Sequence, residues 1–259
     1  MGLLAFASQI PLLAQENAPV TVETAPPAAE PKPAKEDPAE PIPRLGLKWK
    51  SGGGWQSTHE DYVKRAKEGK VNLVFFGDSI TQWWDWQDFK KRYGSLNGVN
   101  FGIGGDKTQN LLWRVQNGEM EGITPKLAVV LIGTNNLGDD PADKIAAGIK
   151  KIVASIQEKS PTTKILLLGI FPRGWNANEV KWYQSKIEKI NDESAKLDDG
   201  KNVRFADLGP KMLEADGTLS RKIFKDGLHL SGDGYARWAE AMQPLIDEMM
   251  GLPKVETAP

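Results

Sequence analysis

Asp226-Gly227-Leu228-His229 sets a carboxylate three residues ahead of one of only two histidines in the chain. Within one turn the carboxylate can accept a hydrogen bond from one ring nitrogen, which leaves the other nitrogen to face a hydroxyl. The same spacing is common in plain surface loops, so it needs a nucleophile to give it meaning. Gly77-Asp78-Ser79-Ile80-Thr81 offers one. Its serine stands between an apolar run and a helical segment, where the backbone N–H lies at the positive end of a helix and suits a reaction whose product is an oxyanion. Taken alone, Ser79 would be read as a helix N-cap. It is also not the Gly-x-Ser-x-Gly elbow, because position 81 is threonine.

Two further clusters carry groups that could serve such a nucleophile. In Phe101-Gly102-Ile103-Gly104-Gly105-Asp106 a glycine turn exposes N–H groups, either to a site or for tight backbone packing. A dinucleotide fingerprint starting at Gly102 would need glycine at position 107, which is Lys107, so the nucleotide reading fails. Asp106 and Gln109 are expected to form a capping box on the following helix. Gly133-Thr134-Asn135-Asn136 brings a neutral amide with two donors, or else an Asx-turn. His59 lies in the charged stretch Thr58-His59-Glu60-Asp61 and is expected to be a solvated helix residue. With no cysteine, two histidines in separate contexts and no clustered carboxylates, neither a metal site nor a cofactor is expected. Trp83, Trp84 and Trp86, with the loop Phe171-Pro172-Arg173-Gly174-Trp175, could stack on a sugar or line an acyl pocket; packing between helix and sheet is the plainer alternative.

These groups need a scaffold that gathers them. The apolar runs 71–76, 98–103, 126–132, 164–170 and 202–206 are five candidate strands. Their near-continuous hydrophobicity suits strands covered on both faces of a parallel sheet. Between them lie helical stripes: Ile145, Ile149, Ile152, Val153 and Ile156 after an expected Asp140 cap and Pro141; Val180, Tyr183, Ile187, Ile190 and Leu197; and Met242, Leu245, Ile246 and Met249, where Pro244 is expected to kink or break the helix. Alternation of strand and helix implies a three-layer αβα sandwich with right-handed crossovers and a site at the carboxyl ends of the strands.

The 259 residues carry 33 basic and 34 acidic side chains, a balance that gives no general attraction to nucleic acid or to anionic lipid. No apolar stretch reaches the roughly 18 residues that a membrane span needs. Residues 1–14 have the apolar run of a signal peptide, with Ala14 as the cleavage point, so the protein is expected to be secreted or periplasmic, and cytoplasmic if the run is not a signal. Residues 15–45 hold eight of the 17 prolines and read as a disordered Pro/Ala/Glu-rich linker, followed by one domain at 46–251 and a short tail at 252–259.

In order and context the four motifs resemble the SGNH (GDSL-like) hydrolase superfamily, in the branch similar to the catalytic subunits of platelet-activating-factor acetylhydrolase. The resemblance spans roughly Trp55 to Met250 and departs from the usual blocks at Ile80, where leucine is common, and at Asn136, where aspartate is. It implies a flavodoxin-like fold with a five-stranded parallel sheet, Ser79 as nucleophile, Asp226 and His229 completing a triad, and Ser79, Gly105 and Asn135 as the oxyanion hole, without metal or organic cofactor. The implied function is a serine esterase that cleaves short-chain, chiefly acetyl, esters through an acyl-enzyme. Its partners would be small-molecule or carbohydrate esters, and nucleic acid would not be one. The alternatives are a non-catalytic glycan-binding module on the same fold, and an acyltransferase or thioesterase using the same site.

Overall fold

The computed structural model describes residues 35–50 and 52–253, so the expected signal peptide, residues 15–34 of the linker and residues 254–259 of the tail lie outside the described residues. Five parallel strands form one sheet: β1 (Leu73–Gly77), β2 (Gly98–Gly102), β3 (Leu127–Leu131), β4 (Lys164–Leu168) and β5 (Val203–Ala206), in the order β2-β1-β3-β4-β5. Every residue of β1 and β3 is buried, because successive side chains feed opposite layers of core. Val74, Phe76, Val130 and Leu167 pack beneath α1 (Trp55–Lys67), α4 (Thr108–Arg114), α5 (Ala142–Lys159) and α6 (Ala177–Ala195). Leu73, Phe75, Val129 and Leu166 pack on the other face beneath α3 (Trp86–Tyr93) and α7 (Gly232–Met250), with a short α2 (Ser79–Gln82) at the edge of β1. The expected five-stranded sandwich is present. Its order reverses between β1 and β3, which parts the loops at their carboxyl ends and opens a crevice there. Among the described residues no helix is long and apolar enough to cross a membrane.

Three local expectations are corrected. No break falls at Pro244: α7 continues through the proline, with Tyr235, Trp238, Met242 and Ile246 of its buried stripe on both sides. Pro141, not Asp140, caps α5; the Asp140 carboxylate instead accepts from Asn136 Nδ2 at 2.9 Å. Asp106 and Gln109 form no capping box on α4, whose cap is Lys107, with its N–H donated to Asn110 Oδ1 at 2.9 Å.

The domain also starts before residue 46, since its compact unit begins at Glu36. Residues 36–49 lie as a strap over α4 and α5. Thr108 Oγ1 donates to Pro38 O at 2.8 Å, Ile42 N–H to Gln109 O at 3.1 Å and Asn110 Nδ2 to Ile42 O at 2.9 Å. Asp37 pairs with Lys144 at 2.9 Å and Glu40 with Lys151 at 2.8 Å. A Cβ on Gly148 would stand 2.4 Å from Pro38 O, so that glycine is what lets the strap approach α5. Backbone hydrogen bonds and ion pairs dock this segment, and they are invisible to a reading that looks for apolar side chains.

Candidate active site

The chain leaves β1 at Gly77, where a Cβ would lie 2.6 Å from Leu131 O of the neighbouring strand. Asp78 then caps α2, its Oδ1 accepting from Ile80 N–H at 2.9 Å. Ser79 is therefore not the cap. As the first residue of α2 it has an N–H without an intrahelical acceptor, and its hydroxyl turns to His229, Oγ to Nε2 2.9 Å. Tyr235, on α7, donates its hydroxyl to Ile80 O at 2.8 Å and so ties the serine's helix to the helix that follows His229.

Asp226 and His229 are held as a unit. Asp226 Oδ2 lies 2.6 Å from His229 Nδ1, while Oδ1 accepts from the backbone N–H groups of His229 at 2.6 Å and Leu228 at 3.1 Å. Although burial opposes ionisation, these bonds hold the Asp226 carboxyl below its usual range. Gly227 permits the turn: its φ is +74°, and a Cβ there would meet Gly174 O at 2.5 Å. Trp83 lies against the imidazole, with ring centroids 4.1 Å apart.

The glycine turn after β2 faces the same crevice. Gly105 has φ +76°, and the neighbouring Gly104 is gripped from both sides, its N–H bound to Gln82 Oε1 at 2.9 Å and its carbonyl to Arg44 Nη1 at 3.0 Å. Asn135 donates one amide proton to Asp106 O at 2.9 Å, which leaves the second for the cleft that its side chain lines. Asn136 points inward instead, accepting from Thr108 N–H at 3.0 Å and donating to Gln109 and Asp140. Of the two asparagines, only Asn135 reaches the site.

Beneath these loops lies a buried cluster of charge that the sequence reading missed. Arg114 donates from Nε to Asp106 Oδ2 at 2.8 Å, from Nη1 to Glu119 Oε2 at 2.5 Å and to Phe101 O at 2.9 Å, and from Nη2 to Gly77 O at 3.1 Å. One guanidinium thus fastens the ends of β1 and β2, the two strands that launch Ser79 and Gly105. Burial alone would lower its pKa, and the Glu119 and Asp106 carboxylates outweigh that and hold it charged. His59 belongs to the same cluster. It is 6% exposed, with Nδ1 3.0 Å from Glu119 Oε1 and its ring stacked on Trp55, so it is not a solvated helix residue. The spacing Trp55, His59, Ala66 marks the buried face of α1, a signal that the acidic neighbours Glu60 and Asp61 conceal.

Ser79, His229, Gly105 and Asn135 share a cleft of about 680 Å³ whose walls include Trp83, Leu228 and, from the strap, Arg44, Leu47 and Trp49. The tryptophan cluster divides: Trp83 lines this cleft, Trp84 is buried in the core and Trp86 is exposed. Trp175 faces a separate cavity of about 530 Å³ that contains neither Ser79 nor His229. Among the described residues no group of three or more His, Asp or Glu side chains could hold a metal ion.

A hydroxyl in line with an imidazole and a carboxylate, set at the switch point of a doubly wound sheet, defines a hydrolase of the SGNH kind. Residues 75–237 match the model of the GDSL-like Lipase/Acylhydrolase family, and the chain belongs to that family. The alpha1 subunit of platelet-activating factor acetylhydrolase IB from Homo sapiens is 36% identical over 214 residues, covering 80% of this chain and 91% of that protein. Among solved structures, a provisionally assigned platelet activating factor from Streptococcus pneumonia superposes with a TM-score of 0.65 at 26% identity, over 74% of this chain and 92% of that one. A GDSL-like lipase from Bacteroides thetaiotaomicron gives a TM-score of 0.60 at 18% identity, over 73% and 97%.

Proposed function

We propose that the protein is a serine esterase that removes short acyl groups, acetyl above all, through an acyl-enzyme. The observation that carries this reading is the unbroken line from Ser79 Oγ through the His229 ring to Asp226, with links of 2.9 and 2.6 Å. His229 Nε2 takes the hydroxyl proton as Oγ attacks the ester carbonyl, and the imidazolium that forms is stabilised by the Asp226 carboxylate. The N–H groups of Ser79 and Gly105 and the second amide proton of Asn135 receive the oxyanion. His229 then protonates the departing alcohol, and water, deprotonated by the same nitrogen, releases the acid. Acetyl is favoured by the name of the human relative, an acetylhydrolase 36% identical to this chain. A carbohydrate alcohol is favoured by Trp49 and Trp83, two indoles on the cleft walls against which a sugar ring could stack. Residues 1–14 are read as a signal peptide cleaved after Ala14, which N-terminal sequencing of the exported protein would check.

Hydrolysis of p-nitrophenyl acetate by the wild-type chain and by Ser79→Ala is the direct test. The variant should keep its fold and lose turnover on the scale of about 10⁶. Undiminished turnover by Ser79→Ala would remove Ser79 as nucleophile, and an inert wild-type chain that still binds acetylated sugars would favour the glycan-binding module.

A further inference from the structure

Arg44 brings a positive charge into the cleft that ester cleavage by Ser79 leaves unused. Its described bonds all run through Nη1, which donates to Gly104 O at 3.0 Å and stands 3.6 Å from Asp106 Oδ1. The rest of the guanidinium lies along the glycine turn: a Cβ built on Gly105 would be 3.0 Å from Nη1 and 3.2 Å from Nη2. The side chain is 27% exposed, anchored at one edge and open to the cleft at the other. Among the described residues no carboxylate lines the cleft; the buried Asp106 answers the charge at the Nη1 edge alone. Lys225 Nζ sits 5.2 Å from the centre of the Trp83 ring, so a second cation stands against a residue that lines the cleft.

We propose that the site selects esters whose alcohol portion carries a negative charge, a carboxylate or a phosphate, and that Arg44 is the specificity residue that binds it. The proposal rests on the esterase reading and deepens it. An acetyl group has no charge to offer, so an anion in this cleft must sit on the leaving alcohol. The fork of Arg44 suits a planar carboxylate or a phosphate, and the anchored Nη1 holds that fork in place before the substrate arrives. The strap is then a wall of the active site as well as a structural brace, because Arg44, Leu47 and Trp49 all enter the cleft from it.

The test uses the full chain and matched ester pairs: p-acetoxybenzoate against its methyl ester, an acetylated glucuronic acid against the acetylated glucose, and acetylglycerol phosphate against acetylglycerol. The charged p-acetoxybenzoate should be favoured in kcat/KM by about tenfold, the lower end expected of a hydrogen bond to a charged group. Arg44→Met should bring that ratio close to one, mainly through KM, and Arg44→Lys should restore only part of it. Preference within the sugar pair assigns the carboxylate and preference within the glycerol pair assigns the phosphate. No preference in any pair overturns the proposal. Equal losses on charged and neutral esters in Arg44→Met also overturn it, since that pattern belongs to a residue that only positions the glycine turn. An NMR titration of Ser79→Ala with p-acetoxybenzoate and its methyl ester separates the two claims. Charge-selective binding that is lost in Ser79→Ala/Arg44→Met supports Arg44 even if neither ester is hydrolysed by the wild-type chain, an outcome that would sink the esterase reading alone.

Discussion

Asp78 is a buried carboxyl that folding must keep without an ion-pair partner. It is 1% exposed, and while Oδ1 accepts from Ile80 N–H at 2.9 Å, Oδ2 has no hydrogen-bond partner among the described residues. Burial raises its pKa from 3.8 to about 7; the bond from Ile80 and the more distant Arg173 and Arg114 only partly offset this, and the Asp106 carboxylate adds to it. Because the folded state holds the proton more tightly than the unfolded chain, the stability from this group is fully present below pH 3.8 and is lost as pH rises to about 7. A span of about three units at 1.36 kcal/mol each sets an upper limit of roughly 4 kcal/mol. Asp78→Asn keeps an oxygen for the Ile80 N–H and carries no charge at any pH. Its urea midpoint should match that of the wild type near about pH 4 and exceed it by a margin that grows up to about pH 7 and is constant above. Circular dichroism of both proteins across that range is the assay. A difference between them that does not change with pH, or one that shrinks as pH rises, would refute the burial argument.

Asn135→Ala should lower kcat by about 10² to 10³ with a much smaller change in KM, because one of its amide protons is free to meet the oxyanion. Loss of its bond to Asp106 O should cost only about 1 kcal/mol in urea unfolding, and an intact kcat would remove Asn135 from the site. Gly148→Ala should lift the strap, since the new Cβ would collide with Pro38 O at 2.4 Å; a stability loss of about 1–3 kcal/mol and protease cleavage within residues 36–43 are expected, and unchanged resistance would count against the docked strap.

The sheet was legible because β1, β3 and, after Lys164, β4 are apolar runs, a pattern that requires cover on both faces. Ser79, Asp226 and His229 were legible because each is a reactive side chain at the end of a strand or just before a helix. What the sequence concealed has a common cause: its partners are distant in the chain. Arg114 reads as the polar punctuation of an apolar helix until Glu119, Asp106 and the carbonyl of Gly77, 37 residues away, surround it. Arg44 reads as part of a proline-rich tether until Gly104, 60 residues away, receives it. His59 was misjudged because charge along the sequence outweighed the helical phase that it shares with Trp55. Composition registers apolar docking, and the strap docks through carbonyls and ion pairs.

The hydrogen bond between Ser79 and His229 spans 150 residues of sequence, and Tyr235 reaches back 155 to hold Ile80. A ribosome extending this chain releases Ser79 with the first strand and His229 only with the last loop. Every shorter nascent chain therefore carries the serine without the imidazole that it bonds, and α7, whose Tyr235 holds the serine's helix, is the last helix to emerge. The contact between Ser79 and His229 is therefore closed only when the chain is long enough to fold.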